Sequence, residues 1–184
     1  MSAILTGRLL VATPALLDPN FARTVVLVLD HDDDGTVGVV LNRPTELPLA
    51  TGLPGWERIA GDPPVVFSGG PVAPGSAICL GRTRPATHVE GFRSVAGRLG
   101  LLDPERDIDE LARGVEVARV CSGYAGWGPD QLEDEIAEGS WFVVTMVDAD
   151  LGDTDPTTLW RRVLRRQPAP LSWASLHPVD VTLN

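Results

Sequence analysis

The chain has 184 residues, enough for one domain with a full hydrophobic core, and its 43% hydrophobic content excludes an intrinsically disordered protein. The formal net charge of −10 disfavours direct contact with DNA or RNA, because nucleic-acid binding depends mainly on neutralising phosphates. No apolar run reaches the ~20 residues that a membrane-spanning helix needs, and the N-terminal residues lack a signal peptide's long apolar stretch, so we expect a soluble cytoplasmic protein.

The first half of the chain is predicted to be mainly β-structure. Strands are expected where β-branched and other apolar residues run together, at residues 7–13, 24–30, 36–42, 65–68 and 76–80. The acidic residues 31–35 predict the turn of a β-hairpin between the second and third of these strands. Residues 44–64 are rich in proline and glycine and are expected to be irregular.

The second half mixes strands with helices. Further strands are predicted at residues 94–102, 116–122 and 140–148. Three helices are predicted to open on a proline, at Asp103-Pro104, Gly128-Pro129 and Asp155-Pro156. The tail from about residue 168 is expected to be extended. Because the clearest strand pair is a hairpin, the sequence predicts a single α+β domain over residues 1–184, with a largely antiparallel sheet and about three main helices packed around it.

The histidines and cysteines do not indicate a metal site. Residues 30–35 match the start of a calcium loop, but Leu41 stands where that loop needs a bidentate glutamate, so a hairpin turn is favoured. The histidines, His31, His88 and His177, are far apart, and the two cysteines lie in apolar strand-like segments as buried thiols. We therefore predict no metal site and no cofactor.

The most distinctive segment is CSGYAGWGPDQLEDEIAEGSW, residues 121–141. Its glycines do not have the spacing of a dinucleotide-binding fingerprint, and the acidic first turns of the following helix would repel a phosphate. We interpret the segment as an architectural loop between a strand and a helix. Tyr124 and Trp127 supply apolar area with one polar atom each, and a neutral or weakly polar ligand beside them remains an alternative.

Three motifs give the chain a family resemblance. They are HDDDGTVGVVLNRP at residues 31–44, SGGPV at 68–72, and GYAGWGPDQLEDEIAEGSW at 123–141. With them the chain resembles the AlgH/YqgE family of bacterial proteins. The resemblance implies a compact cytosolic α+β domain and gives no catalytic residues to carry over, although the name of one branch implies transcriptional regulation of alginate synthesis. Asp130 departs from the pattern, since relatives often have glycine there.

The same motifs define a candidate binding surface, because segments far apart in sequence are expected to converge in space. The candidate binding residues are Asn42, Arg43, Ser68, Gly69, Gly70, Tyr124, Trp127 and Gln131. We expect a non-enzymatic binding or regulatory module for a protein partner or a small effector. Two alternatives remain open: a small-molecule hydrolase or transferase using a cleft near Ser68 and Glu135, and a transcriptional regulator that does not contact DNA directly. The sequence specifies no oligomeric state.

Overall fold

The computed structural model of the protein describes residues 4–152 and 155–178. The strands in this part of the chain are β1 (Arg8–Ala12), β2 (Val25–Asp32), β3 (Gly35–Val40), β4 (Pro44–Pro48), β5 (Val65–Ser68), β6 (Val72–Thr83), β7 (Phe92–Ala96), β8 (Leu99–Leu102), β9 (Val115–Trp127) and β10 (Trp141–Thr145). The α-helices are α1 (Leu49–Gly52), α2 (Ile108–Gly114), α3 (Gln131–Ala137) and α4 (Leu159–Arg165). Short 3₁₀ helices cover Trp56–Arg58, Asp148–Asp150, Pro156–Thr158 and Leu171–Leu176. None of the helices within the described ranges is long and apolar enough to cross a membrane.

Most strands belong to one curled antiparallel sheet with the order β10-β1-β2-β3-β9-β6-β8-β7. β5 runs parallel to β9, with Phe67 opposite Cys121, and β4 pairs with β5. The curl brings the β7–β8 turn against the start of β1, where a Cβ added at Gly7 would lie 2.6 Å from the Cβ of Ala96. The predicted α+β class with a largely antiparallel sheet is therefore confirmed.

Both faces of the central strands are buried, which explains why they read as almost continuous apolar runs. In β2, Leu27 points into a cluster inside the curl that also packs against α4. Its neighbour Val26 points to the other face, into a second cluster with Leu132 of α3. A third cluster, which includes Trp56 and Leu111, lies beside α1 and α2. The sheet therefore separates apolar layers instead of exposing one face to water.

The glycine-rich segment 123–127 is a strand, so the predicted loop there is wrong. β9 continues to Trp127 because its last residues pair with β3, with Gly38 opposite Ala125 and Thr36 opposite Trp127. Residues 94–102 also differ from the prediction: they form the hairpin β7–β8, and Gly97 supplies a turn with a φ of 58°. In both places cross-strand pairing, which local propensity does not report, decides the structure.

Two of the three predicted helix starts are displaced. α2 begins after Asp107 and not at Asp103-Pro104, because the Asp107 carboxylate accepts the backbone N–H groups of Asp109 and Glu110. α3 begins after Asp130, three residues beyond the start of the predicted opening at Gly128. The third start is confirmed, since Asp155 accepts the N–H of Thr157 in the 3₁₀ turn that leads into α4.

Two segments expected to lack regular structure contain short elements. Residues 44–64 include β4, α1 and a 3₁₀ turn, anchored by the buried side chains of Leu49 and Trp56. The tail expected to be extended from residue 168 forms the 3₁₀ helix Leu171–Leu176, because Leu171 and Ala174 pack against the cluster inside the curl. The rest of the predicted tail, residues 179–184, lies outside the described residues.

Candidate functional site

The three motif segments meet in the middle of the sheet. The N–H of Val40 donates to the carbonyl of Gly69 over 2.8 Å, and the N–H of Gly69 donates to the carbonyl of Ser122 over 2.8 Å. The N–H of Ser68 donates to the carbonyl of Arg43, also over 2.8 Å. The end of β3, the end of β5 and the centre of β9 are thus joined through their main chains.

Gly69 and Gly70 make this junction possible by letting two backbones approach each other closely. A Cβ added at Gly69 would lie 2.3 Å from the carbonyl oxygen of Gly123. At Gly70 a Cβ would lie 2.2 Å from the carbonyl carbon of Tyr124, and the φ of 151° is one that glycine adopts far more readily than other residues. Both candidate glycines therefore serve the architecture of the sheet.

Asn42 also has a structural role. Its side-chain oxygen accepts the backbone N–H of Val25 over 2.9 Å, and its Nδ2 donates to the carbonyl of Arg23 over 2.9 Å. The amide side chain thus joins the two strands of the β2–β3 hairpin at their open ends. Its hydrogen-bonding groups are used within the protein instead of facing a ligand.

Arg43, Ser68 and Gly70 line a small polar hollow of about 70 Å³ together with Asn20, Val40 and Pro71. The Arg43 guanidinium donates to the carbonyls of Asn20 over 2.7 Å and Ala22 over 3.1 Å. Burial lowers the pKa of this guanidinium, and the carboxylate of Asp18 acts in the opposite direction. Since a water molecule occupies about 30 Å³ of liquid, the hollow is large enough for only a few waters or a small ion.

Tyr124 and Trp127 border a second, larger and more open hollow of about 390 Å³. We call it the acidic hollow, and its lining residues are Asp30, Asp32, Asp34, Gly35, Thr36, Val37, Val72, Tyr124, Gly126 and Trp127. Strand pairing brings these lining residues together, because Asp30 lies opposite Val37 and Val72 lies opposite Tyr124. Val37 and Val72 are each 38% exposed, so apolar surface lies directly beside the carboxylates.

The carboxylates of the acidic hollow have no arginine within ion-pair distance in the described part of the chain. Asp30 accepts the backbone N–H of His31, and Asp32 accepts that of Asp34, which fixes the geometry of the turn. The acidic helix α3 joins the same region, because Glu133 Oε1 lies 3.3 Å from the Nε2 of His31. Two acidic segments that are far apart in sequence therefore form one negatively charged surface.

His31 connects the β2–β3 hairpin to helix α3. Its side chain is only 5% exposed, and its Nδ1 lies 2.7 Å from Thr36 Oγ1 across the hairpin. The row Glu133–His31–Thr36 has the composition of a catalytic triad, but Thr36 is only 4% exposed and its hydroxyl is already hydrogen-bonded to His31. The arrangement is suited to fixing α3 against the hairpin, a role that the sequence reasoning did not assign to His31.

Glu135 is the centre of a hydrogen-bonded joint between β9, α3 and β10. Its Oε2 accepts the indole N–H groups of Trp127 over 2.9 Å and Trp141 over 2.8 Å, and its Oε1 accepts Gln131 Nε2–H over 3.0 Å. Gln131 Oε1 in turn accepts the backbone N–H of Gly128 over 3.0 Å. Gln131 therefore faces back toward the loop, and its amide is committed to this joint.

The aromatic rings around Glu135 pack against one another. Trp127 and Trp141 meet edge to face at 5.9 Å between ring centroids, and Phe21 contacts Trp127 at 5.9 Å and Trp141 at 5.6 Å. Such pairs stabilise a fold by about 0.5–1.5 kcal/mol beyond the burial of their area. Glu135 lies in this cluster and does not line the hollow around Ser68, so the structure does not bring these two residues into one cleft.

Comparison with known proteins places the chain among bacterial relatives of similar length. A family model described as AlgH-like matches residues 9–172. A UPF0301 protein of Streptomyces avermitilis is 50% identical over 184 residues, which cover 98% of this chain and 95% of the relative. A UPF0301 protein of Mycobacterium tuberculosis is 43% identical over 181 residues, which cover 97% of this chain and 90% of the relative.

Two solved structures share the fold. The crystal structure of protein DIP2367 from Corynebacterium diphtheriae has a TM-score of 0.87 at 30% sequence identity, covering 95% of this chain and 93% of that one. The solution structure of the AlgH protein from Pseudomonas aeruginosa has a TM-score of 0.69 at 28% identity and covers 98% of both chains. The likeness therefore extends over almost the entire chain, in sequence as well as in fold.

Proposed function

Because this chain belongs to the AlgH/YqgE family, whose motifs supply no catalytic residues, we propose that it is a non-enzymatic binding module that recognises a basic segment of a partner protein. The observation that carries the proposal is the acidic hollow. Three aspartates without an arginine partner in the described residues surround two exposed valines and a half-buried tyrosine. The proposed role of the module is regulatory and is exerted through the bound protein.

An arginine side chain matches both properties of the acidic hollow. Its guanidinium carries the opposite charge to the aspartates and can stack on a tyrosine ring, a contact that contributes about 0.5–1 kcal/mol at an exposed site. Its aliphatic stem can cover apolar surface such as that of Val37 and Val72. Unpaired carboxylates also accelerate the encounter with a basic partner, an effect that weakens as salt is added.

The surface is rigid enough to recognise a partner without rearrangement. Tyr124 lies on the long strand β9, and the contacts of His31 with Thr36 and Glu133 fix the neighbouring hairpin. A pre-organised surface loses less conformational entropy on binding than a flexible loop does. This argument favours the acidic hollow over the small hollow around Ser68, whose arginine already donates to two carbonyls.

The proposal is tested by titrating the protein with a ten-residue peptide containing three arginines, using isothermal titration calorimetry at two salt concentrations. We expect binding that weakens with salt and falls several-fold in Tyr124→Ala and in the double variant Asp32→Asn/Asp34→Asn. A charge-matched control, Glu57→Gln/Glu105→Gln, changes the net charge equally, lies outside the hollow and should bind like the wild type. Equal loss in both double variants would reduce the effect to net charge and would reject the hollow as the binding site.

A role in transcription is proposed only through a protein partner. The acidic hollow and the acidic helix α3 would repel a phosphate backbone, so direct DNA contact is disfavoured. Fluorescence anisotropy with a labelled DNA duplex at low salt tests this point. The expected result is no change in anisotropy up to high protein concentration, and saturable binding would contradict it.

A further inference from the structure

A separate cavity of about 180 Å³ lies where the curled sheet meets itself. It opens between the start of β1, the β7–β8 turn and the segment that follows β10. Leu99, Met146 and Leu151 form apolar walls, and the same side chains belong to or pack against the cluster inside the curl. The cavity is thus an open end of the hydrophobic interior, a position where β-barrel proteins commonly bind small molecules.

The rim of this cavity carries a buried guanidinium. Arg82 is 7% exposed, its Nε donates to Glu116 Oε2 over 3.0 Å, and its Nη1 donates to the backbone carbonyl of Asp148. Arg82 and Asp148 both line the cavity. Because charge interactions are stronger away from bulk water, this paired guanidinium holds the Glu116 carboxylate in place at the rim.

The carboxylate of Asp148 is placed where another carboxylate can replace it. It pairs with Arg98, and its side chain is 67% exposed. Arg98 also donates to Glu116 over 2.9 Å, so it keeps one carboxylate partner if Asp148 moves into solvent. An incoming acid can therefore enter the network without leaving a buried arginine unpaired.

From the volume, the apolar walls and the exchangeable Asp148–Arg98 pair at the rim, we propose that this cavity binds a small carboxylic acid. Its benzene-sized apolar body would fill the space against Leu99, Met146 and Leu151, and its carboxylate would take the place of the Asp148 carboxylate beside Arg98. An apolar cavity of comparable volume, about 150 Å³, is sufficient to bind benzene. The site shares no lining residue with the acidic hollow and does not depend on the function proposed for that surface.

The probes for the test are benzoate, benzyl alcohol and benzylamine, which have the same ring and differ in charge. In titrations of the ¹⁵N-labelled protein followed by NMR, we expect benzoate to shift the resonances of residues 99, 146–148 and 151. Benzoate should bind roughly tenfold more tightly than benzyl alcohol, because a hydrogen bond to a charged partner is stronger, and benzylamine should bind most weakly. Equal affinities, or shifts only at other residues, would overturn the proposal.

Variants of two lining residues complete the test. Met146→Trp fills the cavity and should abolish benzoate binding, whereas the matched substitution Met146→Leu keeps the space and should retain it. Asp148→Asn removes the competing carboxylate and should strengthen benzoate binding without filling the cavity. The melting temperature of each variant establishes that it is folded. Unchanged benzoate affinity in a folded Met146→Trp protein, or no benzoate binding to the wild type, would show that the cavity is not the site.

Discussion

Gly69 has no space for even one methyl group, and this has a measurable consequence. Its added Cβ would lie 2.3 Å from a backbone oxygen of Gly123 and 2.7 Å from a side-chain atom of Val39. We predict that Gly69→Ala lowers the free energy of unfolding by about 1–3 kcal/mol, the cost of overpacking a close contact. Urea denaturation followed by tryptophan fluorescence measures the difference.

Gly75 provides the matched control for this substitution. It lies in β6, a few residues after Gly69 in the chain, but a Cβ added there would meet no atom within 4 Å. Gly75→Ala should therefore change stability by no more than about 0.5 kcal/mol. If both alanine variants are as stable as the wild type, the close approach of β5 to β9 is not a constraint on the sequence.

Asp130 occupies a backbone conformation that disfavours most side chains. Its φ of 59° is left-handed, a conformation that glycine adopts far more readily than other residues. We predict that Asp130→Ala is less stable than Asp130→Gly by about 1 kcal/mol, because alanine has a Cβ and no polar group that hydrogen-bonds locally. Parallel urea titrations of the two variants measure this order, and a more stable alanine variant would contradict it.

The two thiols are predicted to be unreactive in the folded protein. Burial raises the pKa of Cys79 to about 12 and that of Cys121 to about 12, so neither is a thiolate near neutral pH. A thiol-specific reagent at pH 8 should modify the native protein very slowly and should modify both cysteines at once after unfolding. Rapid labelling of one cysteine in the folded protein would contradict the assigned burial.

Helix α3 is joined to the sheet chiefly through Glu135. Replacing its carboxylate with an amide puts an N–H₂ group near two indole N–H donors, so at least one hydrogen bond is lost. We predict that Glu135→Gln lowers stability by about 1–3 kcal/mol, the cost of leaving a partly buried donor without an acceptor. The control Glu138→Gln changes an exposed residue of the same helix end and should be nearly neutral, as denaturation with fluorescence detection can measure.

The arginine–carboxylate network at the cavity rim predicts a defined pH dependence. Hydrogen bonds from Arg82 and Arg98 lower the pKa of Glu116 below its ordinary value of 4.5. A carboxyl whose pKa is lower in the folded protein stabilises it fully above the unfolded pKa and loses that effect as pH falls through the folded pKa. Between pH 7 and pH 3 the wild type should therefore lose more stability than Glu116→Gln, whereas parallel losses would exclude this role for Glu116.

The sequence predicted correctly the elements whose structure is set by their own residues. The β2–β3 hairpin follows from β-branched strands around an acidic turn, and Asp155 begins its helical segment as its capping side chain requires. The sequence does not predict the strand at residues 123–127 because Gly123 and Gly126 lie within it and Gly128 follows it, and pairing with β3 makes it extended. At α2 the sequence predicted a start at Asp103-Pro104 and did not identify Asp107, the residue that caps the helix in the structure.

The candidate site was predictable only in part, for the same reason. The motifs indicated that Tyr124 and Ser68 lie in neighbouring segments, and the main chains do meet. The sequence treated the aspartates of the hairpin as an isolated turn, whereas the contact of His31 with Glu133 joins them to α3, 102 positions later in the chain. The commitment of Glu135 to two indoles likewise depends on the positions of three separate elements.

In the whole molecule, the two surfaces for which binding is proposed lie on different parts of the curled sheet. The acidic hollow lies over β2, β3, β9 and β6, with exposed carboxylates beside the exposed side chains of Val37 and Val72. The cavity at the closure of the curl has an apolar interior and a buried arginine. Since the two have no lining residue in common, each proposal stands or fails on its own experiment.

The account depends most on the acidic hollow as the recognition surface, and an NMR titration tests this directly. The ¹⁵N-labelled protein is titrated with the arginine-containing peptide while every assigned backbone resonance is followed. The account predicts shifts concentrated at residues 30–37, 72 and 124–126 that saturate together and disappear in Tyr124→Ala. Shifts that avoid these residues, or that persist unchanged in the variant, would contradict it.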